Sequence, residues 1–391
     1  FRATAKAEEF RLDFGEPLAI SEVTVDGEET AYAREGKDLV VQHPVEEDGR
    51  YVLEIAYGGT PEPVPAPTAR SDFSSSGWTI TPDGETWTMQ EPFGAYSWYA
   101  VNDHPSDKAL YDFTLSVPSP MIGVANGELV SESDDAGVHV TEWHLAEPAA
   151  SYLSTVAFGE FVTEEYVSAS GVPISTWVLA RSADKIEGGP ERAAEAMDWV
   201  VDKLGPYPYD TFGILVVDSE SGMETQTMVT LGDTDYATSP EVVVHELVHQ
   251  WYGDQVTPND WRDVWMNEGM AMYLQLMWEA EQAGVPIDDQ MDAVADFERS
   301  ERVYAGPPAD YDPDKFGSSN IYYGPALMWH ELRQQIGDER FFALIKDWPA
   351  AQDNRSTGRE EFLAFIEKET GEELSAFFDA WLLGETSPSR S

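Results

Sequence analysis

Apolar and polar residues alternate with a period of two along much of the first 165 residues, a pattern typical of half-buried β-strands. Turn-forming pairs such as Asp26-Gly27 and Asp48-Gly49 separate the alternating segments. Residues 60–77 are rich in proline and serine and are predicted to form a loop. The predicted strands cover residues 10–14, 20–25, 39–42, 51–57, 111–117, 139–145 and 152–161.

The periodicity changes near residues 168–173. A predicted strand at 174–180 leads into a helix at 190–204, and another strand follows at 212–217. Further predicted helices cover residues 240–253, 263–283, 287–304, 322–336, 338–347 and 358–368. We therefore predict an α+β protein with a β-rich domain over residues 1–165 and a mostly helical domain over residues 166–391.

The charge balance narrows the possible partners. Lys and Arg together number 23 and Asp and Glu 73, so the formal net charge is −50. Such a surface repels phosphate backbones and anionic lipid headgroups, which argues against nucleic acid and membrane partners. No apolar run has the length needed for membrane insertion. The acidity fits solubility or adaptation to salt, or a preference for cationic substrates if the charge concentrates at a cleft.

The chain contains no cysteine, so a metal site must use His, Asp or Glu. The segment 241–253 has the apolar positions of a buried helix, from which His245 and His249 project on one face and can reach a single ion. Glu246 is rotated away from that face and can address a water molecule instead. This is the H-E-x-x-H arrangement. A carboxylate between two histidines on an apolar helix is costly to bury without a purpose.

A third ligand is predicted on the next helix, where a helical hairpin can bring Glu268 beside the two histidines. The neighbouring Gly269 and Ala271 are small, as close helix packing requires. A set of two histidines and one glutamate leaves the fourth position of tetrahedral zinc to water, which is the pattern of catalytic zinc. We therefore predict one Zn²⁺ per chain, held by His245, His249 and Glu268.

Several other segments accompany the metal motif, and together they are specific. They are N-D-H-P-S-D-K-A at 102–109, G-P-Y-P-Y at 205–209, S-G-M-E-T-Q-T at 221–227 and Y-Y-G-P-A-L at 322–327. With the metal motif and Asn267-Glu268-Gly269, the chain resembles the gluzincin aminopeptidases of the aminopeptidase N and leukotriene hydrolase family. The resemblance implies a saddle-like, β-rich N-terminal domain packed on a thermolysin-like catalytic domain, with the active site between them.

The resemblance also implies residue roles and an activity, the removal of N-terminal residues from peptides. Glu246 would be the catalytic base, and Tyr322 would stabilise the oxyanion of the tetrahedral intermediate. Because Tyr323 is adjacent and only one of the pair can point inward, a packing role for Tyr322 is the alternative.

Carboxylates are the expected partners of a substrate ammonium group. By the resemblance, Glu224 would bind the free α-amine of the substrate. Glu91 falls near the family's second amine-binding position, with Gln90 as the alternative match.

The sequence departs from the family pattern in places. Thr225 stands where the family has asparagine, which affects the substrate-binding strand. The chain ends soon after Trp381, so the usual helical cover of the active site is expected to be missing and the cleft to be more open. The N-terminal domain of the family begins with strands earlier than Phe1, which fits a trimmed start.

Other functions remain open at this stage. A zinc endopeptidase is allowed by an open cleft, epoxide hydrolysis occurs in one branch of the family, and a non-catalytic zinc-binding protein is the alternative from another class. Glu246 argues against the last, since holding zinc alone does not need it. Peptides are the expected partners, a monomer is compatible with the sequence, and export from a bacterium is predicted with the cytoplasm as the alternative.

The first prediction concerns the catalytic base. Glu246→Gln is expected to keep zinc bound, because the ligands are untouched, and to lower kcat by about 10²–10⁴-fold, because the proton acceptor is lost. Metal content and peptide hydrolysis are measured on the same preparation. Unchanged turnover would remove Glu246 from the mechanism.

Overall fold

The computed structural model of the chain describes residues 1–186 and 189–390. Residues 187, 188 and 391 of the second predicted domain lie outside the described residues, as do the side chains of 184–186 and 190. The strands of the first part are Phe10–Asp13 (β1), Ala19–Val25 (β2), Glu28–Glu29 (β3), Tyr32–Glu35 (β4), Asp38–Val41 (β5), Leu53–Gly58 (β6), Val64–Pro65 (β7), Ser75–Ile80 (β8), Thr86–Met89 (β9), Lys108–Pro118 (β10), Ile122–Ala125 (β11), Glu128–Asp135 (β12), Val138–Ala150 (β13) and Val156–Gly159 (β14).

The first part is built from small antiparallel sheets. Two three-stranded sheets, β1-β5-β4 and β3-β2-β6, enclose a core that includes Phe14, Val23 and Leu39. A five-stranded sheet, β11-β14-β9-β8-β7, and a three-stranded sheet, β10-β13-β12, lie closer to the second part of the chain. The prediction of a β-rich N-terminal domain is confirmed.

The predicted segment 152–161 is wrong as a single strand, because a 3₁₀ turn at Ser151–Leu153 precedes β14. The predicted loop 60–77 holds β7 and the start of β8. In this part of the chain the unpredicted strands are β3, β4, β7, β8, β9, β11 and β12. Alternation fails in three of them for different reasons. β8 is interrupted by Gly77 with φ of 89°, β11 is almost wholly buried, and β12 is almost wholly exposed.

The second part begins with a mixed sheet of Phe161–Val167 (β15), Pro173–Leu179 (β16), Phe212–Val217 (β17), Gly222–Met223 (β18) and Met228–Gly232 (β19). Its order is β15-β16-β17-β19-β18, with parallel pairing around β17 and antiparallel pairing at both edges. Every residue of β17 is buried, since the sheet is covered on both faces. β15 starts before the predicted domain boundary at residue 165. That boundary stays a prediction.

The helices of the second part are Gly189–Leu204 (α1), Pro240–His249 (α2), Trp265–Ala283 (α3), Ile287–Ala305 (α4), Asn320–Ile336 (α5), Asp338–Gln352 (α6), Arg359–Thr370 (α7) and Ser375–Leu382 (α8). A short parallel pair, Thr257–Pro258 (β20) and Ser356–Thr357 (β21), joins distant segments. The predicted helices are confirmed, except that α2 ends at His249 and not at residue 253, and that α6 extends to Gln352 and not to residue 347. Gln250 and Trp251 bond three residues back, and Gly253 has φ of 135°, so the chain leaves the helix there. α8 was not predicted.

One face of the second sheet packs on the first part of the chain. Leu215 and Val217 of β17 share a buried cluster with Met89, Trp143 and Leu153, whereas the alternate residues of β17 face the helices. Two other contacts tie the halves together. Lys108 of β10 donates to the carbonyl oxygens of Asp254 and Gln255 at 2.7 and 3.1 Å, and Arg181 pairs with Glu85 at 2.8 Å.

In the described part of the chain, no helix combines the length and the apolar character that crossing a membrane requires.

Aromatic side chains fill the centre of the helical part, and they generate a prediction about stability. The fully buried Phe362 contacts Trp265, Trp329, Trp348 and Phe378, with ring centroids 5.1–5.6 Å apart. Phe362→Ala is expected to lower the free energy of unfolding by about 3–5 kcal/mol, because it leaves a cavity among rings that cannot collapse.

The control for this prediction is Val303→Ala, whose side chain is 84% exposed. That substitution is expected to change stability by no more than about 0.5 kcal/mol. Denaturant unfolding of both variants measures the difference. Equal stability of the two would mean that the helical core does not depend on this ring cluster.

Candidate active site

Helix α2 positions the first three candidate residues. Pro240 opens the helix at a position where no backbone N–H is needed. His245, Glu246 and His249 are all buried on it, and the two imidazole rings lie 4.9 Å apart between centroids. The spacing of four residues thus places both rings on one face, as the sequence predicted.

Helix α3 brings the third candidate ligand. One carboxylate oxygen of Glu268 lies 3.2 Å from Nε2 of His245 and 3.4 Å from Nε2 of His249. Helix α3 also packs closely on α5, because a Cβ at Gly269 would meet Pro325 at 2.2 Å. The predicted need for a small residue beside Glu268 is confirmed at Gly269.

The outer nitrogens of the two imidazoles are fixed by acceptors. Nδ1 of His245 lies 3.0 Å from Oε1 of Gln275, and Nδ1 of His249 lies 3.1 Å from the carbonyl oxygen of Tyr252. An Nδ1–H donated to each acceptor leaves both Nε2 atoms with lone pairs directed at the carboxylate of Glu268. Three acceptor atoms that face one another fit a bound cation, and the set of two nitrogens and one oxygen fits zinc.

The electrostatics of the triad agree with this arrangement. Burial raises the pKa of Glu268, but the adjacent imidazoles of His249 and His245 outweigh it and hold that pKa well below its usual value. Burial lowers the pKa of His249, while Glu224 and Glu268 raise it by more, so that the net shift is upward. The site therefore favours a negative carboxylate together with positive charge beside it.

Glu246 lies against the edge strand of the sheet. A Cβ at Gly222 would meet its carboxylate at 2.7 Å, so a larger residue there would displace that carboxylate. Burial is the largest cause that raises the pKa of Glu246 to about 8; His249 opposes the shift, and Glu224 and Glu268 add to it. A carboxylate with a raised pKa accepts a proton readily, which is what a catalytic base needs.

Glu224 and Glu91 lie beside the triad. Both are buried, and Oε1 of each has no hydrogen-bond partner among the described residues. Ligand oxygens of Glu91, Glu224 and Glu268 lie within 4.8 Å of one another. Burial raises the pKa of Glu91 well above its usual range, and Glu224 and Glu268 raise it further. Burial also raises the pKa of Glu224. These unpaired buried acceptors call for a cationic ligand.

The alternative match, Gln90, points elsewhere. Its amide nitrogen donates to the Oγ of Ser154 at 2.8 Å and to the carbonyl oxygen of Ser151 at 3.1 Å, and its amide oxygen accepts from Trp98. Gln90 does not line the cavity, whereas Glu91 does. The structure therefore favours Glu91 over Gln90, because the polar groups of Gln90 are used inside the N-terminal part.

The segment that carries Glu224 is tied to the metal helix. Gln250 donates from its side chain to the carbonyl oxygen of Glu224 at 3.2 Å and accepts from the backbone N–H of Thr227 at 2.9 Å. Thr225, which replaces the family's asparagine, is buried and bonds to Thr230 at 2.9 Å and to the carbonyl oxygen of Met228. Thr225 therefore closes the turn between β18 and β19, and the backbone of Glu224 is fixed relative to α2.

Tyr322, in the first turn of α5, is the inward tyrosine of the predicted pair. Its ring is stacked on His245 with centroids 6.0 Å apart. Tyr323 instead packs edge-on against Phe297 at 5.5 Å, at the outer part of the cavity. Burial, with Glu268, raises the pKa of Tyr322 well above its usual value, so its hydroxyl stays protonated and can donate.

The candidate residues other than Gln90 line one cavity of about 480 Å³. Two further residues of this cavity, Gln275 and Arg70, were not predicted from the sequence. Gln275 could have been found, because it lies two helical turns after Glu268 on the same face of α3. Arg70 could not, since it lies in the predicted loop 60–77 and reaches the cavity only through the fold. It donates to the Tyr322 hydroxyl at 3.3 Å and pairs with Asp72 at 2.6 Å.

Comparison with known families covers both parts of the chain. The sequence model of the Peptidase family M1 domain matches residues 190–381. The model of the Peptidase M1 N-terminal domain matches residues 6–153. The second match ends before the predicted boundary at residue 165, and the first begins after it.

Curated relatives are similar over part of their length. Aminopeptidase N of Streptomyces lividans is 24% identical over 315 residues, which is 73% of this chain and 36% of the relative. Aminopeptidase N of Caulobacter vibrioides is 27% identical over 293 residues, 68% of this chain and 34% of the relative. The mouse aminopeptidase N is 29% identical over 220 residues, 49% of this chain and 22% of the relative. The chain thus spans about a third or less of these relatives.

Solved structures share the fold. An M1 zinc metallopeptidase from Deinococcus radiodurans superposes with a TM-score of 0.88 at 23% identity, over 100% of this chain and 88% of that one. A mutant of that protein with a Tyr-Ser-Ala substrate bound gives a TM-score of 0.87. Legionella pneumophila aminopeptidase A in complex with aspartic acid gives 0.81 at 19% identity, over 97% of this chain and 46% of that one. The two-part architecture is therefore common to these proteins.

The triad generates a prediction about metal content. After dialysis against zinc-free buffer, the wild-type chain is expected to retain about one zinc, because three ligands converge. His249→Ala leaves two ligands and is expected to lose most of the metal. Elemental analysis gives the stoichiometry. His144→Ala, an exposed strand histidine that pairs with Asp112, is the matched control and is expected to keep its zinc. Full zinc retention by His249→Ala would contradict the assigned triad.

Proposed function

The chain belongs to peptidase family M1, and on that premise we propose that it is a zinc-dependent aminopeptidase that hydrolyses N-terminal residues from peptides. The observation that carries the proposal is the position of Glu91 and Glu224. Their buried, unpaired carboxylate oxygens lie beside the candidate metal triad and are suited to a substrate ammonium group. The peptide bound to the Deinococcus relative supports peptides as the substrate class.

Zinc would be held by His245, His249 and Glu268. When bound, it would lower the pKa of a water molecule and polarise the scissile carbonyl. Gln275 and the carbonyl oxygen of Tyr252 would keep the two imidazoles in the tautomer that such binding needs.

Glu246 would act as the general base. It takes a proton from the attacking water on a carboxylate oxygen and returns that proton to the leaving amine. Its burial and its raised pKa support both transfers, because the protonated and deprotonated forms are then close in free energy near neutral pH. The close approach of Gly222 limits the space around this carboxylate.

Glu224 and Glu91 would set the register of the substrate. An ammonium group between their oxygens places the first peptide bond of the substrate next to the triad, since ligand oxygens of both residues lie within 4.8 Å of those of Glu268. In a buried site this attraction is much stronger than in water. A peptide without a free amine would leave both carboxylates unpaired, which favours an aminopeptidase over an endopeptidase.

Tyr322 would donate its O–H to the oxygen of the substrate carbonyl as negative charge develops there. A donor of this kind contributes about 3–4 kcal/mol in comparable sites. The cellular location stays a prediction from the acidic, cysteine-free sequence: an exported bacterial protein, with the cytoplasm as the alternative. A monomer is compatible with the sequence.

The test of the proposed function compares free and N-acetylated amino-acid anilides, with and without a zinc chelator. Only the free amines are expected to be cleaved, and only without the chelator, because acetylation removes the charge that Glu91 and Glu224 bind. Glu224→Gln is expected to lower kcat/KM for free-amine substrates by about 10-fold or more.

Each other outcome has a definite meaning. Equal cleavage of the acetylated compounds would indicate an endopeptidase. Cleavage of neither set by the zinc-loaded chain would overturn the peptidase assignment and favour epoxide hydrolysis or a binding role. Cleavage that the chelator leaves unchanged would overturn the metal dependence.

A further inference from the structure

Seven acidic residues line the cavity, and one guanidinium stands among them. Of the described residues that line it, Arg70 is the only lysine or arginine. The acidic residues of the lining are Asp72, Glu91, Glu220, Glu224, Glu246, Glu268 and Glu301. None of the roles proposed above uses Arg70. A cation among carboxylates that are suited to a substrate ammonium group would repel that group. The position of Arg70 therefore needs a separate explanation.

Arg70 is held in place by its neighbours. Its Nε and Nη2 donate to the two carboxylate oxygens of Asp72 at 3.2 and 2.6 Å, which is a bidentate pair with fixed geometry. Nη2 also lies 3.5 Å from the Oγ of Ser221, and the side chain passes Gly317, where a Cβ would lie 3.4 Å from its Cδ. The remaining assigned contact runs from Nη1 to the hydroxyl oxygen of Tyr322 at 3.3 Å.

That last contact restricts the Tyr322 hydroxyl. A phenol has one O–H to donate, and a guanidinium has five N–H donors and no acceptor. Because Arg70 donates to the oxygen, the Tyr322 proton cannot be given to Arg70 and must be directed elsewhere. Among the described residues, no acceptor takes it, and the ring lies along the cavity beside His245. The proton is therefore available to an acceptor inside the cavity.

We propose that Arg70 is a positioning residue of the reaction, which fixes Tyr322 as a hydrogen-bond donor toward the developing oxyanion, with Asp72 as the anchor of the guanidinium. The inference rests on the proposed aminopeptidase function and extends it. It also makes the catalytic site a product of both parts of the chain. Arg70 and Asp72 lie in the segment between β7 and β8, and Tyr322 lies on α5.

The segment that carries Arg70 is attached to the catalytic part by its backbone. The N–H of Phe316 donates to the carbonyl oxygen of Pro67 at 2.9 Å. Gly317 follows with φ of 73°, a conformation that favours glycine. This backbone contact holds the segment before β8, which carries Arg70, against the segment before α5, the helix that carries Tyr322. Arg70 and Tyr322 are thereby kept close together.

The test is a double-mutant cycle on a free-amine anilide with the zinc-loaded, full-length chain. Arg70→Met is expected to lower kcat by about 10–100-fold with KM within about twofold, because orientation in the transition state is lost while amine binding is kept. Tyr322→Phe is expected to lower kcat by about 10²–10³-fold. The double variant is expected to lie within about threefold of Tyr322→Phe, since Arg70 acts through that hydroxyl.

Two further variants separate positioning from support of the fold. Arg70→Lys keeps one donor for Tyr322 and is expected to recover part of the kcat lost in Arg70→Met. Asp72→Asn weakens the anchor of the guanidinium and is also expected to lower kcat. This variant tests the inference even if Arg70→Met folds poorly. Arg181→Met is the matched control, because Arg181 also bridges the two parts through Glu85 but lies outside the cavity. Its kcat is expected to stay at the wild-type value.

Other results would overturn the inference. Wild-type kcat in Arg70→Met would exclude any role in the reaction. If the two single effects multiply in the double variant, Arg70 acts independently of Tyr322. A loss of kcat in Arg181→Met equal to that in Arg70→Met would point to contact between the two parts in general. An inactive wild-type chain would instead reject the proposed function, and the two failures are thereby distinguishable.

Discussion

The main physical constraint on this structure is that four carboxylates are buried in one cavity. Glu91, Glu224, Glu246 and Glu268 are each 8% exposed or less, and unpaired buried charge is among the most costly features a fold can contain. Burial raises the pKa of Glu246 to about 8, so that protonation relieves the cost there. For the other three carboxylates, cations are the physical remedy. Glu268 faces two imidazoles, and Glu91 and Glu224 are suited to an ammonium group. The candidate metal triad and the candidate amine site therefore meet the same requirement, which is positive charge beside buried carboxylates.

The fold meets this constraint by close approach of rigid elements. Gly222 lets the edge strand approach Glu246, and Gly269 lets α3, which carries Glu268, pack closely on α5, which carries Tyr322. Gln250 then links the metal helix to the segment of Glu224. Because these contacts join helices and strands of one packed core, small side chains at the contact points decide whether the functional groups meet.

The N-terminal part contributes more than support. It supplies Glu91 to the amine site and Arg70 to the surroundings of Tyr322, and it buries one face of the catalytic sheet through Trp143 and its neighbours. Lys108, which belongs to a sequence motif without an assigned reaction role, ties β10 to the chain just beyond the metal helix. The two parts therefore share both a core and a cavity.

The sequence by itself predicted the candidate ligands His245 and His249, because helical periodicity places both on one face, and it predicted a function for Glu246, whose burial between them is costly without one. It also determined most helices and the β-rich character of the first part, since those depend on local patterns. Only the tertiary structure decided between Glu91 and Gln90, which are adjacent and differ in the direction of their side chains. It alone brought Arg70 to Tyr322 across 252 positions. Local patterns carry no information about such contacts, because they arise when separate elements pack together.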